Sequence, residues 1–140
     1  MNLRAPLFRR AILLLPLVLG LNACGSDTLT GPSAVQGVVW KLQTLERTGV
    51  AGVTITQPDR YTLEFRDTLA VKADCNTCTG AYTLNGASLT IGNLACTVAA
   101  CPPDSLAPQY LTVLGGAQTH GVKDDVLTID STTGKLTFTH

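Results

Sequence analysis

Asn85-Gly86 stands between two segments in which apolar and polar residues alternate, AYTL before it and ASLTIGNL after it. A type I′ turn needs positive φ at both central residues, and Asn followed by Gly meets that need at least cost, so the segment reads as a β-hairpin. A two-residue turn there sets Leu84 opposite Ala87 and Tyr82 opposite Leu89, with the apolar residues of both strands on one face. The same period of two runs through YTLEF, where Tyr61, Leu63 and Phe65 point one way. It resumes at Leu69, Val71 and Ala73 after the polar Arg66-Asp67-Thr68. VLTID, STTG and KLTFTH make a closing hairpin in which Leu127 and Ile129 face Leu136 and Phe138. Val38-Val39-Trp40 and Leu42-Gln43-Thr44-Leu45 give a strand at the front. A chain patterned this way is mainly β, antiparallel and buried on one face.

One segment breaks the pattern. Leu106, Tyr110 and Leu114 recur every four residues, Asp104 is placed to cap the N-terminus, Pro108 fits a first turn, and Gly115-Gly116 ends the run. The spacing predicts one short helix over about 104–115, lying across an end or face of the sheet with Leu106, Tyr110 and Leu114 buried.

The first 23 residues carry the parts of an export signal: Arg4, Arg9 and Arg10, an apolar stretch from Ala11 to Leu21, and then Leu21-Asn22-Ala23-Cys24. That tetrapeptide looks like a lipobox, in which the chain is cut before a cysteine that receives diacylglycerol and palmitate-type acyl chains. The match holds at Leu21, Ala23 and Cys24, while Asn22 replaces the small residue usual there. The apolar stretch is broken by Pro16 and Gly20 and falls short of the roughly 20 residues a spanning helix needs. An ordinary cleaved signal is the competing reading. By likeness to Gram-negative lipoproteins, Gly25 lacks the aspartate that retains a lipoprotein in the inner membrane, so the expected address is the outer membrane, facing the periplasm. Residues 24–37 follow as a flexible tether, because GSDTLTGPSAVQG is too small and polar to repay the entropy of ordering. The folded domain is then expected over 38–140.

Removing the leader also changes the charge. Of ten basic residues three lie in the leader, while all ten acidic residues lie after Cys24, which leaves a formal charge of −3. No basic stripe remains to neutralise phosphates, so nucleic acid is not an expected partner.

Setting Cys24 aside leaves Cys75, Cys78, Cys96 and Cys101, an even number in an exported domain, for which two disulfides are the simplest reading. Three alternatives stand beside it, one being local bridges, Cys96 to Cys101 or Cys75 to Cys78, whose small loops gain less entropy and are harder to close without strain. A redox CxxC at Cys75-Cys78 wants its first cysteine at a helix N-terminus, and here the motif lies between strands. A zinc site is loosely permitted by the spacing and opposed by export.

The stretch around these cysteines carries a family pattern. Trp40-Lys41-Leu42, YTLEF, Cys75-Asn76 with Gly80 and Tyr82, Leu89-Thr90-Ile91 with Leu94-Ala95, Thr97 and Ala100-Cys101-Pro102, Tyr110-Leu111 with Leu114, and Val126-Leu127-Thr128-Ile129 occur in one order. Together they resemble the META domain family, which includes the heat-inducible lipoprotein HslJ, over residues 38–140. The resemblance implies a small lipocalin-like antiparallel barrel or strongly curved sheet with one short helix. The family pattern has one cysteine in each of two motifs, matching Cys75 and Cys101. Cys78 and Cys96 are additional, so the resemblance implies Cys75–Cys101 with Cys78–Cys96 beside it. The hairpin register set by the Asn85-Gly86 turn gives a contrary hint, since extending it brings Cys75 opposite Cys96.

Neither histidine sits in a catalytic motif. His120 reads as a surface residue in a His120-Gly121 turn, and His140 is the C-terminus. Asp124-Asp125 reads as a turn before Val126 rather than a cation site, and there is no glycine-rich phosphate loop. The expectation is therefore a noncatalytic envelope lipoprotein of the META/HslJ type, without cofactor or metal. It would be held to the membrane through lipid on Cys24 and act by binding an envelope protein or small ligand, or in stress tolerance. A periplasmic small-ligand carrier and a cysteine-based metal or redox protein are the alternatives.

Overall fold

A computed structural model describes residues 27–140; the expected leader, residues 1–23, and the expected lipidation site Cys24 lie outside the described residues. From the N-terminal side the chain forms helix α1 (Pro32–Val35), β1 (Val39–Arg47), β2 (Val50–Thr54), a single 3-10 turn at Pro58–Arg60, β3 (Tyr61–Phe65), β4 (Leu69–Ala73), β5 (Asn76–Gly80), β6 (Tyr82–Asn85), β7 (Ser88–Ile91), β8 (Ala95–Cys96), helix α2 (Ala107–Gly115), β9 (Ala117–Lys123), β10 (Val126–Ser131) and β11 (Gly134–Thr139).

All eleven strands belong to one sheet in the order β6-β7-β9-β10-β11-β1-β3-β4-β5-β8, with β2 beside β1. The expected strands form with their expected inward faces: Tyr61, Leu63, Phe65, Leu69, Val71 and Ala73 are buried, and Leu127 and Ile129 pair with Phe138 and Leu136. A bulge between Leu42 and Thr44 lets β1 change partners. Its first residues pair with β3, its last with β2, and β11 runs along its other side. Only Ala81 separates β5 from β6, although these strands lie near opposite ends of the sheet order, so the sheet must curl. The curl brings β6 over the end of β3, where the Tyr82 hydroxyl donates to the Arg66 carbonyl at 2.6 Å and its ring stands edge-on to Phe65 at 5.1 Å. The result is the curled, lipocalin-like antiparallel half-barrel that the family resemblance implies.

Helix α2 fills the hollow of this curl. Tyr110, Val113 and Leu114 are fully buried in the core, Tyr110 with its ring 6.3 Å from that of Phe138, and the Tyr110 hydroxyl donates to the Thr62 carbonyl at 3.2 Å. Tyr110 meets Tyr61 edge-on at 5.9 Å, and burial pushes its phenol far above the ordinary range, so it is an un-ionised core residue. The helix starts later than the spacing predicts and is not capped by Asp104. Its first turn is met instead by Ser105, whose hydroxyl accepts from Ala107 N–H at 3.2 Å, while Asp104 turns to Arg60 at 3.6 Å.

Three other expectations are corrected. In the β6–β7 hairpin Asn85 pairs with Ser88 and Leu84 with Leu89, so the central turn residues are Gly86 and Ala87. Gly86 alone has positive φ, at 56°, which is the requirement of a type II′ rather than a type I′ turn. The two-residue type I′ role falls to Asp124 and Asp125, with φ of 51° and 60°, between the paired Lys123 and Val126. Third, the segment expected as tether up to residue 37 is bound to the domain from Leu29 onward. Leu29 exchanges backbone hydrogen bonds with Val122 at 2.7 and 2.8 Å, Val35 is fully buried, and Trp40 Nε1 donates to the Val35 carbonyl at 3.0 Å. Leu29 and Val35 interrupt an otherwise small, polar composition, and one buried valine with a shared ladder is enough to dock the strand.

Gly134 opens β11 opposite Arg47, and a Cβ at this position would land on the Glu46 carbonyl oxygen, which is backbone and cannot swing away. Gly134→Ala is therefore expected to destabilise the domain by about 1 to 3 kcal/mol, whereas Gly115→Ala, with open space around it, leaves the melting temperature essentially unchanged. Thermal unfolding of the two variants side by side checks this.

Candidate functional site

The four cysteines meet on one wall of the half-barrel. β5 and β8 pair so that Cys78 lies directly opposite Cys96, with Cα atoms 4.0 Å apart, and the two form a disulfide. Cys75, just before β5, is joined to Cys101, Cα atoms 5.4 Å apart. The pairing of Cys75 with Cys96 suggested by the hairpin register does not occur. The β6–β7 ladder itself is offset from that expectation, and an irregular stretch at Gly92-Asn93-Leu94 shifts the chain again before β8. All four sulfurs are consumed in these bonds, so none is a thiolate able to ligate zinc or begin thiol exchange.

Asn76 does what the sequence reading assigned to no residue. Its side-chain oxygen accepts from Ala99 N–H at 2.7 Å and from the Thr97 hydroxyl at 3.1 Å, and its amide nitrogen donates to the Ala99 carbonyl at 3.1 Å. A side-chain amide thus reproduces the pair of bonds a neighbouring strand would make and prolongs the β5–β8 ladder past Thr97, whose N–H donates to the Thr77 carbonyl at 2.9 Å. The amide nitrogen also lies 3.3 Å from Cys101 Sγ, packing it against the disulfide. Asparagine is poorly suited to a strand, and its place next to a cysteine in an alternating segment was the available signal.

Between this stapled segment and α2 lie two adjoining surface grooves. One, of about 390 Å³, is lined by Ile91, Leu94, Cys96, Leu111 and neighbouring glycines; the other, of about 400 Å³, by Asn76, Cys101, Pro102, Pro108 and Leu111 among others. Leu111 projects from α2 between them.

A second polar cluster secures the mouth of the hollow. Arg60 donates from Nε and Nη2 to the two carboxylate oxygens of Asp74 at 2.7 and 2.6 Å, and this bidentate bond holds Asp74 well below the usual carboxylate range. Asp74 has positive φ, 60°, and its N–H donates to the Arg60 carbonyl at 2.6 Å, so the pair locks the β4–β5 turn to the start of β3. Its geometry is that of a structural clamp.

His120 is not the surface turn residue expected. It lies within β9, 4% exposed, and its Nε2 accepts from Gly31 N–H at 3.3 Å, fastening the N-terminal strap; Nδ1 has no hydrogen-bond partner among the described residues. Desolvation pushes its pKa below the ordinary 6.5. His140 is half-exposed, edge-on to Trp40 at 5.3 Å and 3.8 Å from Asp125. No base stands beside a nucleophile among these groups, and among the described residues no three His, Cys, Asp or Glu side chains converge on a metal position.

Against this geometry the comparisons are specific. The model of the META domain matches residues 33–140. The chain belongs to the META domain family. A META domain so delimited includes α1 and the buried Val35, which agrees with a domain that begins before Val38. The NMR structure of a protein from Burkholderia xenovorans is similar in fold, with a TM-score of 0.65 at 21% identity over 89% of this chain and 97% of that one. No curated protein matches the chain at a significant level.

Two outcomes follow. Asn76→Asp keeps the acceptor but loses the donor to Ala99, and is expected to cost about 1 kcal/mol and to speed hydrogen exchange at the Ala99 amide. For His120 the neutral form is favoured by folding, so its contribution is complete above the unfolded pKa and lost as pH falls below about 6.5 toward the depressed folded value. Stability measured by denaturant between pH 7.5 and 5 should fall, the strap amides of Leu29 and Gly31 should lose protection, and His120→Gln should flatten that slope.

Proposed function

We propose that this META domain protein is a noncatalytic lipoprotein of the bacterial cell envelope, held by lipid on Cys24 at the outer membrane facing the periplasm, and that it acts by binding, in a stress-tolerance role. The observation that carries the reading is the Leu21-Asn22-Ala23-Cys24 tetrapeptide behind a basic and apolar leader. The paired disulfides are consistent with it, since they persist in an oxidising compartment such as the periplasm. The chain between Cys24 and Leu29, where the domain begins, spans at most about 18 Å when extended, so the domain would sit close to the bilayer.

The arrangement of polar groups favours binding over catalysis. Arg60 is committed to Asp74, His120 to Gly31, and the four cysteines to each other. The interior also speaks against a small-ligand carrier, because Trp40, Phe65, Tyr110 and Phe138 fill the hollow that a lipocalin-type carrier would leave open. Binding is then a property of the outer surface.

Metabolic labelling of the expressed precursor with a palmitate analogue tests the anchor. The label should travel with the protein in the outer-membrane fraction, and Cys24→Ser should remove both the label and the membrane association. Export of an unlabelled, soluble mature chain from the unaltered precursor would refute the lipoprotein reading.

A further inference from the structure

Charge is distributed along this chain in an unusual way. Between Asp74 and Lys123 the only Asp, Glu, Lys or Arg is Asp104. That span contains β5 to β8, α2 and most of β9, so the wall bearing both disulfides and both grooves has almost no fixed charge. Val98, at the crest of the stapled segment, is 99% exposed, and Pro102, Pro103 and Pro108 border the groove below it.

The backbone of the same segment is unpaired on its outer side. β8 ends the sheet order, with β5 on one side only. Ala95 and Thr97 turn their peptide groups toward Thr79 and Thr77, and Ala99 turns its own toward the Asn76 side chain. By strand alternation, Cys96 and Val98 turn their N–H and C=O groups outward. Asn76 and the two disulfides therefore hold residues 95–99 extended, as an edge longer than the two-residue strand itself, with a groove between it and α2. An exposed edge is a template for another strand, and proteins commonly block one with charge, proline or a covering element. None of the residues from Ala95 to Ala99 is charged or proline.

We infer that the β8 edge is a docking site for an extended, uncharged polypeptide segment. It would add as a strand against Cys96 and Val98 and set alternate apolar side chains in the grooves on either side of Leu111. Backbone groups in a row select a peptide backbone over an acyl chain, the concave apolar lining selects apolar side chains, and the missing charge disfavours acidic or basic segments. The inference gives the binding role proposed above its ligand class; because the anchor is tested by labelling at Cys24, failure of one leaves the other standing.

The test uses the chain from Cys24 onward carrying Cys24→Ser, which retains every described residue, and a fluorescein-labelled heptapeptide amide of sequence Ser-Val-Thr-Leu-Thr-Val-Ser. Binding is followed by fluorescence anisotropy and mapped by amide chemical shifts. Saturable binding is expected, with shifts at Cys96, Val98 and Leu111. At least a tenfold loss of affinity is expected on N-methylating alternate peptide bonds or on replacing the central leucine of the peptide by glutamate. Val98→Pro, which removes an outward N–H at a fully exposed position, should weaken binding similarly, while Val98→Ala retains it; both variants are first confirmed as folded by their shift dispersion. Several outcomes overturn the inference: no binding, undiminished binding of the N-methylated peptide, or shifts confined to another face. Two more would reassign the edge: residues 95–99 occupied by a second copy in a concentration-dependent dimer, or by phosphatidylcholine vesicles that displace the peptide.

Discussion

The insertion of α2 into the hollow of the curled sheet is the contact on which the rest of the fold depends. A half-barrel of short strands has a concave face that must be filled, and the chain has few large aromatic residues to fill it with. Tyr110 does much of this. Its ring is fully buried against Tyr61 and Phe138, and its hydroxyl, which would be costly to bury alone, is met by the Thr62 carbonyl. Once the helix is seated, Tyr61 can receive the Leu106 N–H at 2.9 Å, and the loop leading into the helix is fixed to the mouth of the barrel. The same occupancy that stabilises the domain removes the interior as a place for a ligand.

The disulfide wall answers a different physical problem. The segment from Ala95 to Pro103 is exposed except at Cys101, which is part-buried, so it contributes little apolar burial of its own. Without cross-links it would cost more entropy to order than its contacts return. Two disulfides, each worth about 2 to 4 kcal/mol, and the Asn76 amide compensate. They hold in an extended shape a stretch that packing alone would leave loose, which is why the molecule can present an open edge beside an apolar groove. The two clamps elsewhere, Arg60 on Asp74 and Gly31 on His120, similarly fasten a turn and a strap where apolar contact is thin.

Much of this was legible in the residues. Period-two alternation identified β3, β4, β6, β7, β10 and β11 and their inward faces, because a side chain's face in a strand depends only on parity. β2, β5, β8 and β9 were missed, and the Cys75–Cys78 motif, read as lying between strands, falls mostly within β5. VAGVT is exposed throughout and forms only because the bulge in β1 offers it an edge, and AQTHGVK lacks a continuous inward face. The Asn85-Gly86 hairpin was placed correctly, but its register was not. Gly86 alone is enough for a type II′ turn, and the neighbouring strands decide between two turns that local chemistry permits almost equally.

The sequence by itself determined the fold class, the family pattern, the helix built around Tyr110 and the separation of Cys24 from four cysteines that belong to the domain. These rest on local chemistry, periodicity and spacing, which are properties of the chain in order. The tertiary structure decided the hairpin register, the docking of residues 29–37, the burial of His120 and the role of Asn76. Each of these depends on a partner far away in sequence: Gly31 with His120, Asn76 with Ala99, Leu29 with Val122. Such pairings become visible only when the sheet has curled and its distant strands have met.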